Sequence, residues 1–229
     1  MASPRSSGVR RDQARTRLAR AAVVEAARSL FLERGYGATT IEAISEVADV
    51  PPATVYRLFS SKHGILKSLL DVSIVGDDEN VPMADRPQVR ALLAERDPEA
   101  QLGGFVAITA QVNAGIAPLY RVLVSAAGTD ADAAALLDAL TRQRQQGQRL
   151  IARSLARAGA LRPGLRERDA ADIIHALLAP DLYRLLVIDR GWKTERYQPW
   201  LAKTLVDQLL PRTPATPATS KAALDDPRP

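Results

Sequence analysis

Two short amphipathic segments joined by a tight turn, within residues 39–62, constrain the fold of this chain more than any other feature. Apolar residues recur at helical spacing in the first segment and predict a short helix with a single apolar face: Ile41, Ile44, Val47 and Ala48. Thr39 and Glu42 match the capping-box pattern, so they predict that this helix starts at Thr39. The three residues that follow Val47 must then turn the chain sharply.

The second segment predicts another helix over about residues 52–59. Pro51 cannot continue the first helix, whereas Pro52 can occupy the first position of the next one. Helical spacing directs one set of side chains inward, namely Val55, Leu58 and Phe59. It leaves a small, polar and cationic set outward: Ala53, Thr54, Tyr56 and Arg57. Two short helices and a turn with this distribution predict a helix-turn-helix.

Four spaced stretches resemble the N-terminal domain of TetR-family transcriptional regulators: RAAVVEAA at 20–27, LFLERGY at 30–36, TTI at 39–41 and ATVYRLFSSK at 53–62. The resemblance covers roughly residues 18–70. It implies a homodimer that binds double-stranded operator DNA and is released by a small-molecule effector in its C-terminal domain. Three residues depart from the family pattern: Asp49 replaces a common Gly, Pro51 a capping Ser or Thr, and Arg57 a common His.

The eight residues predicted to contact DNA lie in and around this motif: Thr39, Thr40, Pro52, Ala53, Thr54, Tyr56, Arg57 and Lys62. Tyr56 and Lys62 can donate to phosphates, Lys62 from the start of the fourth helix. Arg57 can bridge a guanine, and the methyl groups of Ala53 or Thr54 can meet a thymine methyl. The resemblance implies that this helix enters the major groove.

Charge is concentrated at the N-terminus of the 229-residue chain. The first twenty residues hold six arginines and one aspartate, which accounts for the whole net charge of +5. A basic arm beside a helix-turn-helix predicts phosphate or minor-groove contacts, although a solvated terminus has the same composition. The chain has no Cys and no run of about 18 apolar residues, so we expect a cytoplasmic protein without a membrane partner.

The remaining chain shows only helical patterns, so the predicted fold class is all-α. Further helices are expected over about 16–34, 60–75, 87–96, 98–127 with a break near Gly115 and Pro118, 130–158, 167–189 with a kink at Pro180, and 197–210. This predicts a disordered basic arm (1–15), a three-helix DNA-binding domain with a linking helix (16–75), a helical effector-binding and dimerisation domain (76–210) and a disordered tail (211–229). The acidic stretch 76–80 predicts a solvated loop rather than a metal site, and no cofactor is expected.

Two further residue sets are candidates in the C-terminal domain. A mixed apolar and polar group could line a ligand cavity or be ordinary core: Phe105, Thr109, Asn113 and Tyr120. His175 could join that cavity or be a satisfied core histidine. The helix over 167–189 is apolar nearly all round, which predicts burial on more than one side and a dimer interface formed with the last helix: Leu178, Leu182, Leu185, Trp200, Leu205 and Leu209.

These patterns predict a ligand-responsive transcriptional repressor that is not an enzyme. An all-α enzyme or binding protein that uses the helix-turn-helix only as a scaffold is the alternative. The sequence offers that alternative little support, because it contains two distant histidines, no Cys, no serine elbow and no glycine-rich phosphate loop.

Overall fold

The computed structural model describes residues 5–75 and 86–211, and this part of the chain is helical without a strand. Its helices are α1 (Arg5–Ala38), α2 (Ile41–Ala48), α3 (Pro52–Phe59), α4 (Lys62–Val75), α5 (Pro87–Ala94), α6 (Pro98–Ala127), α7 (Ala131–Arg157), α8 (Glu167–Leu177), α9 (Pro180–Tyr183), a π-helical turn (Arg184–Asp189) and α10 (Thr194–Leu209). The all-α prediction is confirmed. The predicted 76–80 loop and all but the first residue of the predicted tail lie outside the described residues.

Helix α1 begins at Arg5, although the sequence predicted a disordered arm as far as residue 15. Four of the eleven residues over 5–15 are arginines, which are strong helix formers, so this stretch can extend α1. The helical geometry of α1 is interrupted at Gly35 (φ 79°, ψ 167°), directly after the predicted end of this helix at about residue 34. Only glycine adopts such a backbone conformation without strain.

The first hydrophobic core lies between α1, α2, α3 and α4. Phe31 is fully buried at its centre, and burial of a side chain of this size stabilises the fold by about 1.5–3 kcal/mol. Buried residues of the three following helices surround it, among them Ile44, Val55, Phe59, Ile65 and Leu69. Val47 is 58% exposed, so its assignment to the buried face of α2 was wrong. The inward position is taken instead by Ser45, whose hydroxyl donates to the Val50 carbonyl.

Helix α6 runs without a break through the region where Gly115 and Pro118 predicted one, and it joins two cores. Its C-terminal half contributes Leu119 and Leu123 to the first core. Its N-terminal half contributes Leu102 and Val106 to a second core formed with α7, α8 and α10. The two predicted domains therefore share this helix.

The length and composition of α6 are also sufficient for a membrane span, which the sequence analysis did not anticipate. In the structure α1, α4, α7 and α10 all pack against this helix. It also carries two buried polar side chains, Gln101 and Asn113. Its apolar character is therefore accounted for by its central position between the two cores.

Pro180 ends a helix instead of kinking one. Helix α8 stops at Leu177, and Ala179 has an extended backbone (φ −65°, ψ 140°) directly before Pro180, which starts α9. The proline ring disfavours helical geometry in the preceding residue and removes a backbone donor, so the helix over 167–189 predicted from the sequence divides here. The π-helical turn over Arg184–Asp189, which follows α9, has a wider winding than an α-helix, so its side chains point in directions that an α-helix would not give them.

Candidate nucleic-acid interface and ligand cavity

The turn between α2 and α3 has the strained geometry that its sequence requires. Asp49 adopts the left-handed conformation (φ 51°, ψ 42°), and its N–H donates to the Glu46 carbonyl at 3.3 Å. Pro51 provides no side-chain cap for α3, but its carbonyl accepts bonds from the N–H groups of Thr54 and Val55. The turn is therefore held by backbone bonds although both departures from the family pattern are present.

One face of α3 is fixed to the first core and the other is open. Val55 and Phe59 are buried, and Leu58 is half-buried. Tyr56 is 47% exposed, and the other exposed residues of this helix are Pro52, Ala53 and Arg57, with Thr54 half-buried. In the described part of the chain the structure gives no hydrogen-bond or ion-pair partner to the side chains of Tyr56 and Arg57. The outward face of α3 thus carries a phenol and a guanidinium that are free to bind a partner.

The side chains of Thr39 and Lys62 both bond carbonyls of the chain itself. Burial contradicts the DNA contact predicted for Thr39, whereas that of the half-buried Lys62 stays a prediction. The Thr39 side chain is 1% exposed, and its hydroxyl donates to the Gly35 carbonyl at 2.8 Å. The Lys62 ammonium donates to the carbonyls of Tyr36 at 2.8 Å and Thr39 at 2.9 Å, and it lies 4.3 Å from the centre of the Tyr36 ring. Burial lowers the pKa of Lys62. These two residues tie the end of α1 to the starts of α2 and α4.

The cap of α2 is Thr40, one residue later than predicted. Its hydroxyl accepts the Ala43 N–H at 3.1 Å, and its side chain is exposed. The capping-box pattern misled the prediction because two adjacent threonines both precede the apolar run. Thr39 turns inward to bond the end of α1, which leaves the capping position to Thr40.

The three arginines over residues 15–20 differ in whether their side chains bond within the chain. Arg15 and Arg17 are exposed on α1. Arg20 instead donates to the Leu58 carbonyl at 2.9 Å, and its guanidinium lies 4.6 Å from the centre of the Phe59 ring. Arg20 therefore joins α1 to α3, and Arg15 and Arg17 remain available on the surface.

A cavity of about 360 Å³ lies between α4, α5, α6 and α7. Most of its wall is apolar, including Ile74, Leu92, Phe105, Ile108, Val112 and Leu150. Its polar lining consists of Thr109, Asn113, Gln143, Arg144, Gln146 and Gln148. A mostly apolar concave site with a few polar groups is the usual form of a small-molecule site.

The structure brings three of the five predicted ligand residues to this cavity: Phe105, Thr109 and Asn113. Tyr120 and His175 do not line it, and each contacts a residue that does. The His175 ring nitrogen Nδ1 is 2.6 Å from the Gln148 side-chain oxygen, and Tyr120 lies close to the Arg144 guanidinium and favours its charged form. Burial and the nearby Arg144 lower the pKa of His175, which favours its neutral form.

Arg144 and Gln148 were missed by the sequence analysis. They lie on α7 at the same spacing as Leu140 and Ile151, which are buried apolar residues of that helix. Polar residues that interrupt the inward stripe of a helix would have been the signal for both positions.

Three of the predicted dimer residues are parts of the second core. Leu178, Leu205 and Leu209 have 0% exposure within one chain, so they cannot contact a partner subunit in this arrangement. Leu182 is half-buried. Leu185 and Trp200 are 47% and 37% exposed, and Ile188 on the same π-helical turn as Leu185 is 50% exposed. An apolar surface remains on these C-terminal elements, but it is narrower than the sequence indicated.

Sequence comparisons identify known proteins that are similar to the N-terminal domain. The family model for bacterial regulatory proteins of the tetR family matches residues 23–69. The HTH-type transcriptional regulator TcmR of Streptomyces glaucescens is 31% identical over 113 residues, 49% of this chain and 46% of that protein. The uncharacterized HTH-type transcriptional regulator YvkB of Bacillus subtilis (strain 168) is 42% identical over 48 residues, 21% of this chain and 25% of that protein. The chain thus matches between a quarter and a half of the length of these relatives.

Solved structures extend the likeness to both domains. NalD, a secondary repressor of the MexAB-OprM multidrug efflux pump in Pseudomonas aeruginosa, aligns with a TM-score of 0.65 at 21% identity, over 87% of this chain and 97% of NalD. SmeT, the repressor of a Stenotrophomonas maltophilia efflux pump, aligns in its triclosan complex with a TM-score of 0.61 at 17% identity, over 91% of this chain and 99% of SmeT. Because both sequence identities are below 25%, this structural similarity establishes the fold alone.

A three-helix unit with an exposed second motif helix, set on a larger helical body, defines a helix-turn-helix regulator. Residues 23–69 match the TetR family of bacterial transcriptional regulators, and the described helices beyond them share the fold of solved TetR-like repressors.

Proposed function

We propose that this protein is a ligand-responsive transcriptional repressor that binds double-stranded operator DNA as a homodimer in the cytoplasm. The outward face of α3 is the observation that supports this most directly, because Tyr56 and Arg57 are exposed there while Val55 and Phe59 fix the opposite face. Helices of this kind place their exposed side chains in the major groove. The repressor role is proposed by analogy with NalD and SmeT, both described as repressors.

A dimer is proposed because one helix-turn-helix reads only a half-site. Two-fold related recognition helices must lie about 34–36 Å apart to enter successive major grooves on one side of the duplex. Exposed Leu185, Ile188 and Trp200 on the C-terminal elements are the apolar residues available for such an interface. An isologous contact through this surface would fix the separation of the two α3 helices.

Ligand response is proposed to pass from the cavity through α4. Ile74, close to the end of α4, lines the cavity, and the other end of α4 follows α3 after two residues. A ligand that prefers one position of α4 would therefore shift the equilibrium between two separations of the recognition helices. The size of the response is limited by the difference in ligand affinity between the two states.

The direct test begins with duplexes selected from a random pool by the purified protein, since such selection defines the operator. Titration of the selected duplex and of a scrambled one at several salt concentrations then measures specific and nonspecific binding. Affinity that falls with salt, and enrichment of a two-fold symmetric sequence, are the expected results. Absence of any enriched sequence together with salt-independent binding would contradict the proposed function.

Substitution of Tyr56 and Arg57 is expected to separate phosphate contact from base contact. The Y56F variant should weaken binding to operator and scrambled duplexes by the same factor, because a phosphate bond carries no sequence information. The R57A variant should lose roughly 1–3 kcal/mol on the operator and less on the scrambled duplex, because a guanidinium can bridge a guanine. Equal losses of R57A on both duplexes would remove Arg57 from the base-contacting residues.

Neutralising the basic N-terminal segment is expected to flatten the salt dependence of DNA binding. A variant with Arg10, Arg11 and Arg15 replaced by Gln removes three charges and keeps helix-forming side chains. Each lost phosphate contact should lower the slope of log K against log salt by about 0.9. The matched control is Arg157→Gln at the far end of α7, which should leave the slope unchanged. A wild-type slope in the triple variant would show that the segment does not contact DNA.

A further inference from the structure

Arg144 is a cation set into the wall of an otherwise apolar cavity. It lies on α7, and one guanidinium nitrogen is 3.5 Å from the Leu178 carbonyl, a marginal hydrogen bond. Tyr120 lies close to the same side chain. Burial lowers the pKa of Arg144, and the proximity of Tyr120 and Asp181 only partly opposes this effect. The guanidinium has five N–H donors, so these contacts leave donors without a strong acceptor.

The structure gives Arg144 no carboxylate at ion-pair distance among the described residues. Arginines elsewhere in the C-terminal domain do have such partners, as Arg153 has Glu167 and Arg166 has Asp169. Those pairs lie on the surface, where water already stabilises a charge and an ion pair adds little. The charge that most needs a counter-ion is thus the partly buried one that faces the cavity.

The remaining surface of the cavity limits what can bring that counter-ion. Phe105, Ile108 and Leu150 form apolar walls, and the polar groups besides Arg144 are neutral amides and one hydroxyl. A volume of about 360 Å³ is suited to a compact molecule of drug-like size. A highly charged ligand such as a nucleotide would leave additional charges against apolar side chains, which is costly.

We propose that the effector is an apolar small molecule bearing one anionic oxygen group, and that this group binds Arg144. The proposal rests on the proposed function, which makes the cavity the effector site. Planar guanidinium donors match the oxygens of a carboxylate, and such bonds are the strong class of hydrogen bond. Thr109 and Gln143 are placed in the same lining to bond a neutral polar group of the ligand.

An anion at Arg144 would also act on the joint between α8 and α9. The Leu178 carbonyl, just after the last residue of α8, accepts from both Arg144 and Asn113. An anion that draws the guanidinium into the cavity weakens one of these two bonds. The joint leads into the π-helical turn that carries the exposed residues Leu185 and Ile188, so occupancy of the cavity is linked to the dimerisation surface.

Matched pairs of probes that differ only in charge test the proposal. Naphthoate and naphthylmethanol form one pair, and decanoate and decanol form the other. Binding of each to the full-length protein is measured by calorimetry at neutral pH, for wild type, R144Q and the control R142Q. Arg142 lies on the same helix but is exposed and outside the cavity, so its replacement removes an equal charge without altering the lining.

In wild type and R142Q, at least one carboxylate is expected to bind about tenfold or more tightly than its alcohol, equivalent to about 1.4 kcal/mol. In R144Q that preference should disappear while the affinity for the alcohol is unchanged, which also shows that the variant is folded. Equal binding of acid and alcohol to wild type, undiminished binding of the acid to R144Q, or failure of both acids to bind up to their solubility limits would each overturn the inference. Operator release is measured separately, because binding without release contradicts only the proposed function.

Discussion

Replacing Leu205 with Asp is expected to unfold the C-terminal domain and, with it, the protein. Leu205 has 0% exposure and packs in the second core, beside Leu201 and Leu209 of the same helix. Truncation of a buried leucine alone costs about 2–5 kcal/mol, and an unpaired buried charge adds several kcal/mol more. Because domains of this kind are stable by only about 5–15 kcal/mol, the sum approaches or exceeds the whole free energy of unfolding.

The matched control is Leu185→Asp, which places the same charge on a residue that is 47% exposed. This variant should remain folded with its helical content unchanged, because its side chain is not part of the chain's own core. If Leu185 lies in the dimer interface, light scattering after gel filtration should show a monomer, and operator binding should be lost. Circular dichroism during heating measures the first property for both variants.

Two results would contradict the assignment of Leu205 to the core and of Leu185 to the dimer interface. A folded Leu205→Asp dimer would mean that α10 is not held in the core as described. A folded Leu185→Asp dimer with wild-type operator affinity would place the interface elsewhere, while leaving the core assignment of Leu205 intact.

The sequence predicted much of the helix-turn-helix because its determinants are local. Periodicity alone indicated that α3 buries Val55 and Phe59 and exposes Tyr56 and Arg57, and the structure agrees. A sharp turn was expected directly after Val47, and Asp49 in that turn has φ 51°. These features depend on residues a few positions apart, so a one-dimensional pattern contains the information.

The roles of Thr39 and Lys62 could not be predicted in the same way, because their partners are remote or depend on a choice between equivalent residues. The Lys62 ammonium bonds carbonyls 23 and 26 residues away. Thr39 and Thr40 are the same residue type, and only the packed end of α1 decides which of them turns inward. The sequence alone does not distinguish a Lys or Arg that is exposed near a DNA-binding motif from one whose side chain bonds within that motif.

Leu178, Leu205 and Leu209 were wrongly assigned to the dimer interface for a related reason. Apolar excess on the helices after residue 167 predicted a second buried face, but periodicity does not say whether the same chain or a partner covers it. Here α6 and α7 cover much of it, so Leu178 and Leu205 are core residues. The interruption of α8 before Pro180 also rotates the following residues away from the positions that one continuous helix would give them.

Replacing Gly115 with Ala is expected to lower DNA affinity without unfolding the protein. A Cβ atom on Gly115 would lie 2.5 Å from the Ser73 backbone oxygen, which is closer than real Cβ contacts allow. The neighbour is main chain and not a flexible side chain, so α6 and α4 must move apart, at about 1–3 kcal/mol for overpacking. Alanine is more favourable than glycine in a helix by about 1 kcal/mol, and this gain offsets part of the cost of overpacking.

The displacement should reach the recognition helix because α4 and α3 are in similarly close contact. A Cβ atom on Gly64 of α4 would overlap the Phe59 carbonyl oxygen at the end of α3, so these two helices have little freedom to slide past each other. Movement of α4 at Ser73 is therefore expected to change the position of α3 relative to the α3 helix of the partner subunit in the proposed dimer. A change of this kind disfavours simultaneous entry of both recognition helices into their half-sites.

Gly103→Ala provides the matched control, because Gly103 lies on the same helix and no atom approaches its Cβ position within 4 Å. That variant should bind operator as wild type does and should be equally or slightly more stable, since alanine favours the helix. Gly115→Ala should bind about tenfold or more weakly, a loss of about 1.4 kcal/mol, with an unchanged far-ultraviolet spectrum. Operator affinities that are equal in the two variants would show that the spacing of α4 and α6 does not control α3, and the proposed route from the cavity to DNA would then have to avoid α4.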